Sequence, residues 1–331
     1  MQPRIRIIGS GMSQPDTIMT SDEMDARLGL KVGTISGISG VQQRHVSIHE
    51  TAASLAADAC RKALASSGLD WENIDCLVST GATMDQALPY NAALIHAELG
   101  LNRQRTTTFD VGASCMSFLT GLDVMSHLVE NGRYQNVMLV SADIATFGLN
   151  WKELRECGNF GDGAAAVVIR KSLPGEVSLI KASRSHTLSK GVRYCEIPGG
   201  GTRFHPERIN TPFAPLAKFS MDGKAVFKLV SGELPTFTAD LLQQAGVTLA
   251  HISTVIPHQA SRLALSHMAK RLEIPASKLV DIFARFGNQV GASLPTALHH
   301  AISSGQLQRG DDALLIGTGA GVTIGGMVLT Y

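Results

Sequence analysis

Of the five cysteines in the chain, Cys60, Cys76, Cys115, Cys157 and Cys195, only Cys115 stands among residues that suggest chemistry. Residues 106–132 run from a β-rich segment into a small-residue elbow, Gly112-Ala113-Ser114, after which Cys115 opens a helical pattern. Phe118, Leu119, Leu122, Met125, Leu128 and Val129 recur at helical spacing, so this helix is expected to be largely buried. At the first turn of such a helix, unpaired N–H groups and the helix dipole favour a thiolate, the nucleophilic form of the side chain. The plain alternative is a small apolar residue packed in a core. Three further motifs invite the same question. His258 ends a short β-branched strand in Val255-Ile256-Pro257-His258-Gln259, Asn288 sits in the glycine-bounded turn Gly287-Asn288-Gln289-Val290-Gly291, and Gly317-Thr318-Gly319-Ala320-Gly321 is a bare-backbone loop between two strands. Each alone also reads as structure, a satisfied strand-end histidine or a turn-forming asparagine.

Positioning these residues falls to an alternation of short apolar strands and amphipathic helices. Strands are predicted at residues 4–8, 75–79, 136–140, 164–169, 177–182, 253–256, 313–316 and 322–331. Helices are predicted at residues 21–28 with Ser21 as a possible cap, 51–67 capped by Thr51 and stopped by Gly68, 90–99, 223–242, 262–272 and 294–303. Residues 33–40 read as a Gly, Ser and Thr loop. Residues 186–220, with Gly199-Gly200-Gly201 and four prolines, read as a long excursion at the mouth of a site. The second half resembles a replay of the first, with a seam near residues 171–174, so the chain divides into halves 1–172 and 173–331.

Composition narrows the function classes. The chain has 331 residues, 44% hydrophobic and 17% charged with 33 glycines, enough for a large core of an α/β protein. A net charge of +1 supplies no global field for nucleic acid, so an anionic partner must meet a local patch. Scattered cysteines without a paired spacing fit a reducing compartment and argue against a zinc ribbon or a disulfide scaffold. No apolar run approaches a membrane-spanning length, and a cytoplasmic location is expected. His299 and His300 are neighbours on different faces of a helix, so no metal is assigned. The glycines at 317–321 lead into β-branched residues and hence a strand, unlike a dinucleotide fingerprint.

Taken in order, the Cys115 elbow, Pro257-His258-Gln259-Ala260, Gly287-Asn288 and the 317–321 loop closely resemble the ketosynthase III family (3-oxoacyl-acyl-carrier-protein synthase III), condensing enzymes of the thiolase superfamily. The resemblance covers essentially the whole chain, including Ser39-Gly40-Val41-Gln42-Gln43-Arg44-His45, Phe160-Gly161-Asp162-Gly163-Ala164 and residues 221–228. It implies a thiolase-like fold, two duplicated α/β halves packed as a five-layer αβαβα sandwich, and a homodimer in which the Leu88 region reaches the neighbour's pocket. It implies that Cys115 accepts an acyl group, that His258 and Asn288 stabilise the enolate formed when a malonyl thioester loses carbon dioxide, and that the N–H groups of Cys115 and Ala320 form the oxyanion hole. The substrates implied are acyl-coenzyme A or acyl-carrier-protein thioesters, with no permanently bound cofactor.

Departures from the family pattern bear on substrate choice. Coenzyme A-primed members carry a Trp and an Arg that embrace the adenine; Thr34 and Ile38 stand at the positions that correspond, so a carrier protein gains weight as donor. Leu88, at a gating position that is often Phe, points to an acyl group longer than acetyl, with Met116 and Phe147 as further pocket residues, and between housekeeping fatty acid initiation and a specialised lipid or secondary-metabolite pathway the altered adenine clamp favours the latter. Arg155, Lys228, Arg262, Lys270 and Arg271 match or adjoin positive positions at the tunnel mouth; ordinary solvated surface is the competing reading for each. The same scaffold also supports non-decarboxylative condensation, acyl transfer to oxygen or nitrogen, or a non-catalytic partner subunit, and the intact Cys, His and Asn weigh against the last.

Overall fold

The computed structural model describes residues 2–331, the side chains at 155 and 156 excepted. Strands β1 (Ile5–Ser13), β2 (Cys76–Ser79), β3 (Thr107–Asp110), β4 (Asn136–Asp143) and β5 (Gly163–Lys171) form one sheet in the order β1-β5-β4-β2-β3. A second sheet, in the order β7-β8-β9-β6, is built from β6 (Leu179–Thr187), β7 (Thr254–Pro257), β8 (Asp312–Gly319) and β9 (Thr323–Thr330). Each sheet begins parallel at one edge and turns antiparallel towards the other: β3, β2 and β4 run together before β5 and β1 alternate, and β7 and β8 run together before β9 and β6 alternate. A parallel bridge from Val255 to Leu279 adds one more rung beyond β7.

Helices fill three layers around these sheets. α1 (Ala52–Ser67) and α2 (Asn91–Glu98) cover the outer face of the first sheet, and α4 (Gly223–Ala245) covers the second, with α5 (Arg262–Arg271) packed beside it. α3 (Ser117–Glu130) and α6 (Ser293–Ser303) lie between the sheets. Their apolar stripes, Phe118, Leu122 and Met125 with Leu294, Ala297 and Leu298, meet Ile7 and Leu139 of the first sheet and Leu315 and Met327 of the second in one continuous cluster. Because both faces of each sheet are covered, the strands read as apolar runs rather than alternations; seven of the eight residues of β4 are buried. The alanine face of α1 lies so close to β1 that a Cβ at Gly11 would stand 2.5 Å from the Ala63 nitrogen.

Three local expectations change. Residues 34–39 form a short helix, because the Asp25 carboxylate accepts from the N–H groups of Thr34 (2.9 Å) and Ile35 (3.0 Å) and left-handed glycines 33 and 40 bound it. Thr20, not Ser21, caps the helix Ser21–Arg27 through a reciprocal bond with Glu23, which leaves the Ser21 hydroxyl to donate to the Val41 carbonyl at 2.6 Å. The segment after Thr187 is less loose than its composition implies. It begins with Leu188 N–H donating to the Val322 carbonyl at 2.7 Å and contains a small ribbon pairing Cys195 with Met221.

Candidate active site

Cys115 stands in a 3-10 turn, Ser114–Met116, one step before α3 rather than in its first turn. Ser114 is held at a φ of 52°, uncommon for a residue with a side chain, while Ser117 locks the elbow by accepting from Ala113 N–H (2.8 Å) and donating to the Ser114 carbonyl (2.7 Å). Burial pushes the Cys115 thiol up to about 12; the neighbouring Cys195 and Asp143 add to the rise, and the backbone N–H groups of Ala320 and Cys115 oppose it. The expected resting thiolate is therefore replaced by a neutral thiol, because desolvation of the charge outweighs two N–H donors.

His258 follows β7 and stays in the ladder, its N–H donating to the Ile316 carbonyl at 2.9 Å. Burial alone pushes the ring down to about 4, so it is neutral at pH 7. Its Nδ1 is buried without a partner among the described residues. Gln259 fixes the turn that follows: its N–H donates to the Ser293 hydroxyl, and its amide donates to the Pro257 and Val280 carbonyls and accepts from Ile282 N–H, all at 2.8–3.0 Å.

Asn288 is held at both ends of its side chain. Oδ1 accepts from Val290 N–H at 2.9 Å and Nδ2 donates to the Ala260 carbonyl at 3.3 Å, two residues past His258. Val290 itself has a φ of 52°, a genuine outlier for a β-branched residue, and strain of this kind collects at functional sites. The turn Ser114–Met116 packs on β8 and on the turn Val290–Ala292, which brings the cysteine and asparagine segments together.

The glycines of β8 are what let these parts meet. A Cβ at Gly317 would lie 2.6 Å from the His258 Cβ and 2.7 Å from the Met116 Cε, and one at Gly319 would lie 3.3 Å from the Cys115 nitrogen. Both point to the same face of the strand. Ala320 follows at once, which is how its N–H reaches the Cys115 sulfur. Beneath this assembly lies Asp143, the fully buried last residue of β4. Burial pushes its carboxyl up to about 7, against the N–H groups of Ala82, Thr83 and Ala292 that it accepts from.

Known proteins resemble the chain along nearly its whole length. Two family models match, 3-oxoacyl-[acyl-carrier-protein] synthase III over residues 109–187 and its C-terminal counterpart over residues 242–331. A beta-ketoacyl-[acyl-carrier-protein] synthase III of Roseiflexus castenholzii is 32% identical, over 98% of this chain and 97% of that protein. The chain belongs to the ketosynthase III family. The crystal structure of a Pseudomonas aeruginosa member is 30% identical and superposes with a TM-score of 0.88 over 99% of this chain and 98% of that one. OleA of Xanthomonas campestris shares the fold at 22% identity and a TM-score of 0.87, each chain covered in full. The fold is thus thiolase-like, two α/β halves in an αβαβα sandwich, and the protein is a condensing acyltransferase.

Among the ketosynthase III positions read from sequence, Cys115, Met116, His258, Asn288 and Ala320 are brought together. Met116 is fully buried beside Gly317. Leu88 and Phe147 do not line an enclosed pocket within this chain, being 82% and 66% exposed. Each loop is anchored at its base, the first by Asp143 and the second by Asp162, which accepts from Ala145 and Thr146 N–H at 2.8 and 3.0 Å. Lys228, Arg262, Lys270 and Arg271 are exposed on α4 and α5, and Arg262 reaches the Gly37 carbonyl at 3.2 Å. No ion pair among the described residues occupies these four; the Arg155 side chain lies outside the described residues. No helix among the described residues is long and apolar enough to cross a membrane, and no group of His, Cys, Asp and Glu there has the arrangement of a metal site.

Sequence reading passed over Asp143, Ser293 and Gln259 as a brace, which make bonds to residues far along the chain and have no local pattern. It reads Gly317–Gly319 as loop, whereas β8 continues through Gly319, paired to β9.

Proposed function

We propose that the protein loads an acyl group on Cys115 and condenses it with a malonyl thioester to give a 3-oxoacyl thioester. The observation that carries this reading is the convergence of the Ala320 and Cys115 N–H groups on the sulfur of the half-buried Cys115, close to a buried, neutral His258. The thiol attacks the thioester carbonyl, the two N–H groups receive the oxyanion, and the carrier leaves as a thiolate that takes the proton. The malonyl C–CO2 bond then breaks, His258 Nε2–H and Asn288 Nδ2–H stabilise the enolate, and its carbon attacks the acyl-Cys115 carbonyl to release the cysteine sulfur.

A carrier protein is the favoured donor. Thr34 and Ile38 offer no aromatic and guanidinium pair, while the exposed Lys228, Arg262, Lys270 and Arg271 suit an acidic carrier and phosphopantetheine. Leu88 supports an acyl group longer than acetyl, and the missing adenine clamp at Thr34 and Ile38 supports a specialised pathway. A homodimer is supported by β3, which ends its sheet with one edge unpaired among the described residues, together with the exposed Leu88, Met84 and Tyr90 beside it.

Intact-protein mass spectrometry against acyl-coenzyme A and acyl-carrier donors tests the reading. One acyl mass is expected on the wild type, more readily from carrier donors, and none on Cys115→Ala. Absence of an adduct across short to long donors refutes it.

A further inference from the structure

Asp143 is a buried carboxylate with three main-chain partners on two separate segments. Oδ1 accepts from Ala82 N–H at 2.8 Å and Thr83 N–H at 2.6 Å, in the loop after β2 that goes on to Leu88. Oδ2 accepts from Ala292 N–H at 3.0 Å, at the foot of the turn that carries Asn288. The fit on that side is close, since a Cβ at Gly291 would stand 2.9 Å from Oδ2 and 3.1 Å from the Thr80 carbonyl. The same turn packs on Ser114–Met116. The loop's other contacts hold it equally firmly: Asn91 Nδ2 donates to the Thr83 carbonyl at 3.1 Å, and Asp85 accepts from Ala52 and Ala53 N–H at the start of α1.

We infer that Asp143 is a positioning residue for the condensation half of the reaction: its two oxygens tie the Asn288 turn to the loop bearing Leu88 and fix both against the nucleophile. A carboxylate suits this place because both oxygens accept. An amide has one acceptor, so it can hold the 82–83 loop or Ala292 but not both. A second consequence follows from charge. Above pH 7 Asp143 is mainly an anion beside the Cys115 sulfur, where Cys195 and His258 are the other titratable neighbours, and His258 is neutral at working pH. The anion opposes premature formation of the thiolate. In the arrangement proposed for the dimer, the pocket segment lent to a neighbour is braced to the same carboxylate as the asparagine that acts on the extender.

This rests on the roles proposed above for Cys115 and Asn288, and one readout is chosen to be independent of them. For Asp143→Asn, acyl loading of Cys115 is expected to stay within about threefold of wild type while malonyl decarboxylation falls by about tenfold or more. Iodoacetamide alkylation of Cys115, followed by mass spectrometry from pH 6 to 10, is expected to shift to lower pH, with a rate at pH 8 about threefold higher. Gly291→Ala keeps the charge but displaces the turn, so decarboxylation should fall with the alkylation profile unmoved; it also carries the positioning test should Asp143→Asn fail to fold. Equal loss of loading and decarboxylation in both variants, with no change in the alkylation profile, overturns the inference and leaves Asp143 a folding residue. Wild-type rates in both variants overturn it as well. If the wild type itself neither loads nor decarboxylates, the proposed function fails, and the alkylation profile still decides whether Asp143 acts on the sulfur.

Discussion

Acidification is a direct probe of His258, because its ring is neutral for one reason, burial. An exposed imidazole titrates near 6.5, and this one is pushed down to about 4. A depressed histidine binds its proton more readily in the unfolded chain, so its contribution is intact above about pH 6.5 and is lost progressively as pH falls towards 4. Complete titration between those values corresponds to about 3 kcal/mol, and the interval from pH 7 to pH 5 accounts for about 2 kcal/mol of it. Other groups titrate over the same interval; His299 and His300 are also depressed by burial. The measurement is therefore a difference of differences. Urea unfolding at pH 7 and pH 5 is compared for wild type and His258→Asn, which cannot bind the proton. Wild type should lose about 2 kcal/mol more than the variant over this interval. Equal losses would show that the ring is solvated or already protonated, and the argument from burial would fail. The same neutrality predicts that malonyl decarboxylation does not rise as pH falls from 8 to 6, whereas a histidinium requirement would make it rise.

Gly317→Ala should cost about 1–3 kcal/mol and slow decarboxylation at least tenfold, since the new methyl meets His258 and Met116 at under 3 Å. An unaltered melting temperature and rate would show that the strand and the two side chains are not held together as described. Lys228→Glu combined with Lys270→Glu should raise KM for carrier-protein donors about tenfold with kcat nearly unchanged, and for coenzyme A donors, which share only the phosphopantetheine, by much less, with the effect shrinking in high salt. Unchanged KM for carrier-protein donors would place these lysines outside the docking surface.

Much of the site was legible in the sequence because its residues carry their own punctuation. Cys115 follows a small-residue elbow, Asn288 lies between glycines, His258 ends a β-branched strand, and residues 317–321 are a bare-backbone segment, read as a loop although β8 continues to Gly319. These are local backbone requirements, and local requirements are written in consecutive residues. The strands were predicted at their buried centres and the structure lengthens several of them, since the ends, such as Met12 and Ser13 in β1 or Ser141 to Asp143 in β4, are paired by partners distant in sequence.

Tertiary structure decided the rest. Whether Cys115 rests as thiolate or thiol depended on how completely the sheets and Asp143 surround it, and burial reversed what a helix start would imply. The helix Thr34–Ser39 exists because a carboxylate from Asp25 reaches its first N–H groups. Asp143 itself is one acidic residue at the end of an apolar run, with nothing beside it to mark its role. Its meaning lies in Ala82, Thr83 and Ala292, brought to it from both halves of the chain. The sequence by itself determined which residues could do the chemistry; the packing of two sheets around a common helical layer determined their charge, their reach and what holds them, because desolvation and hydrogen bonding act through space.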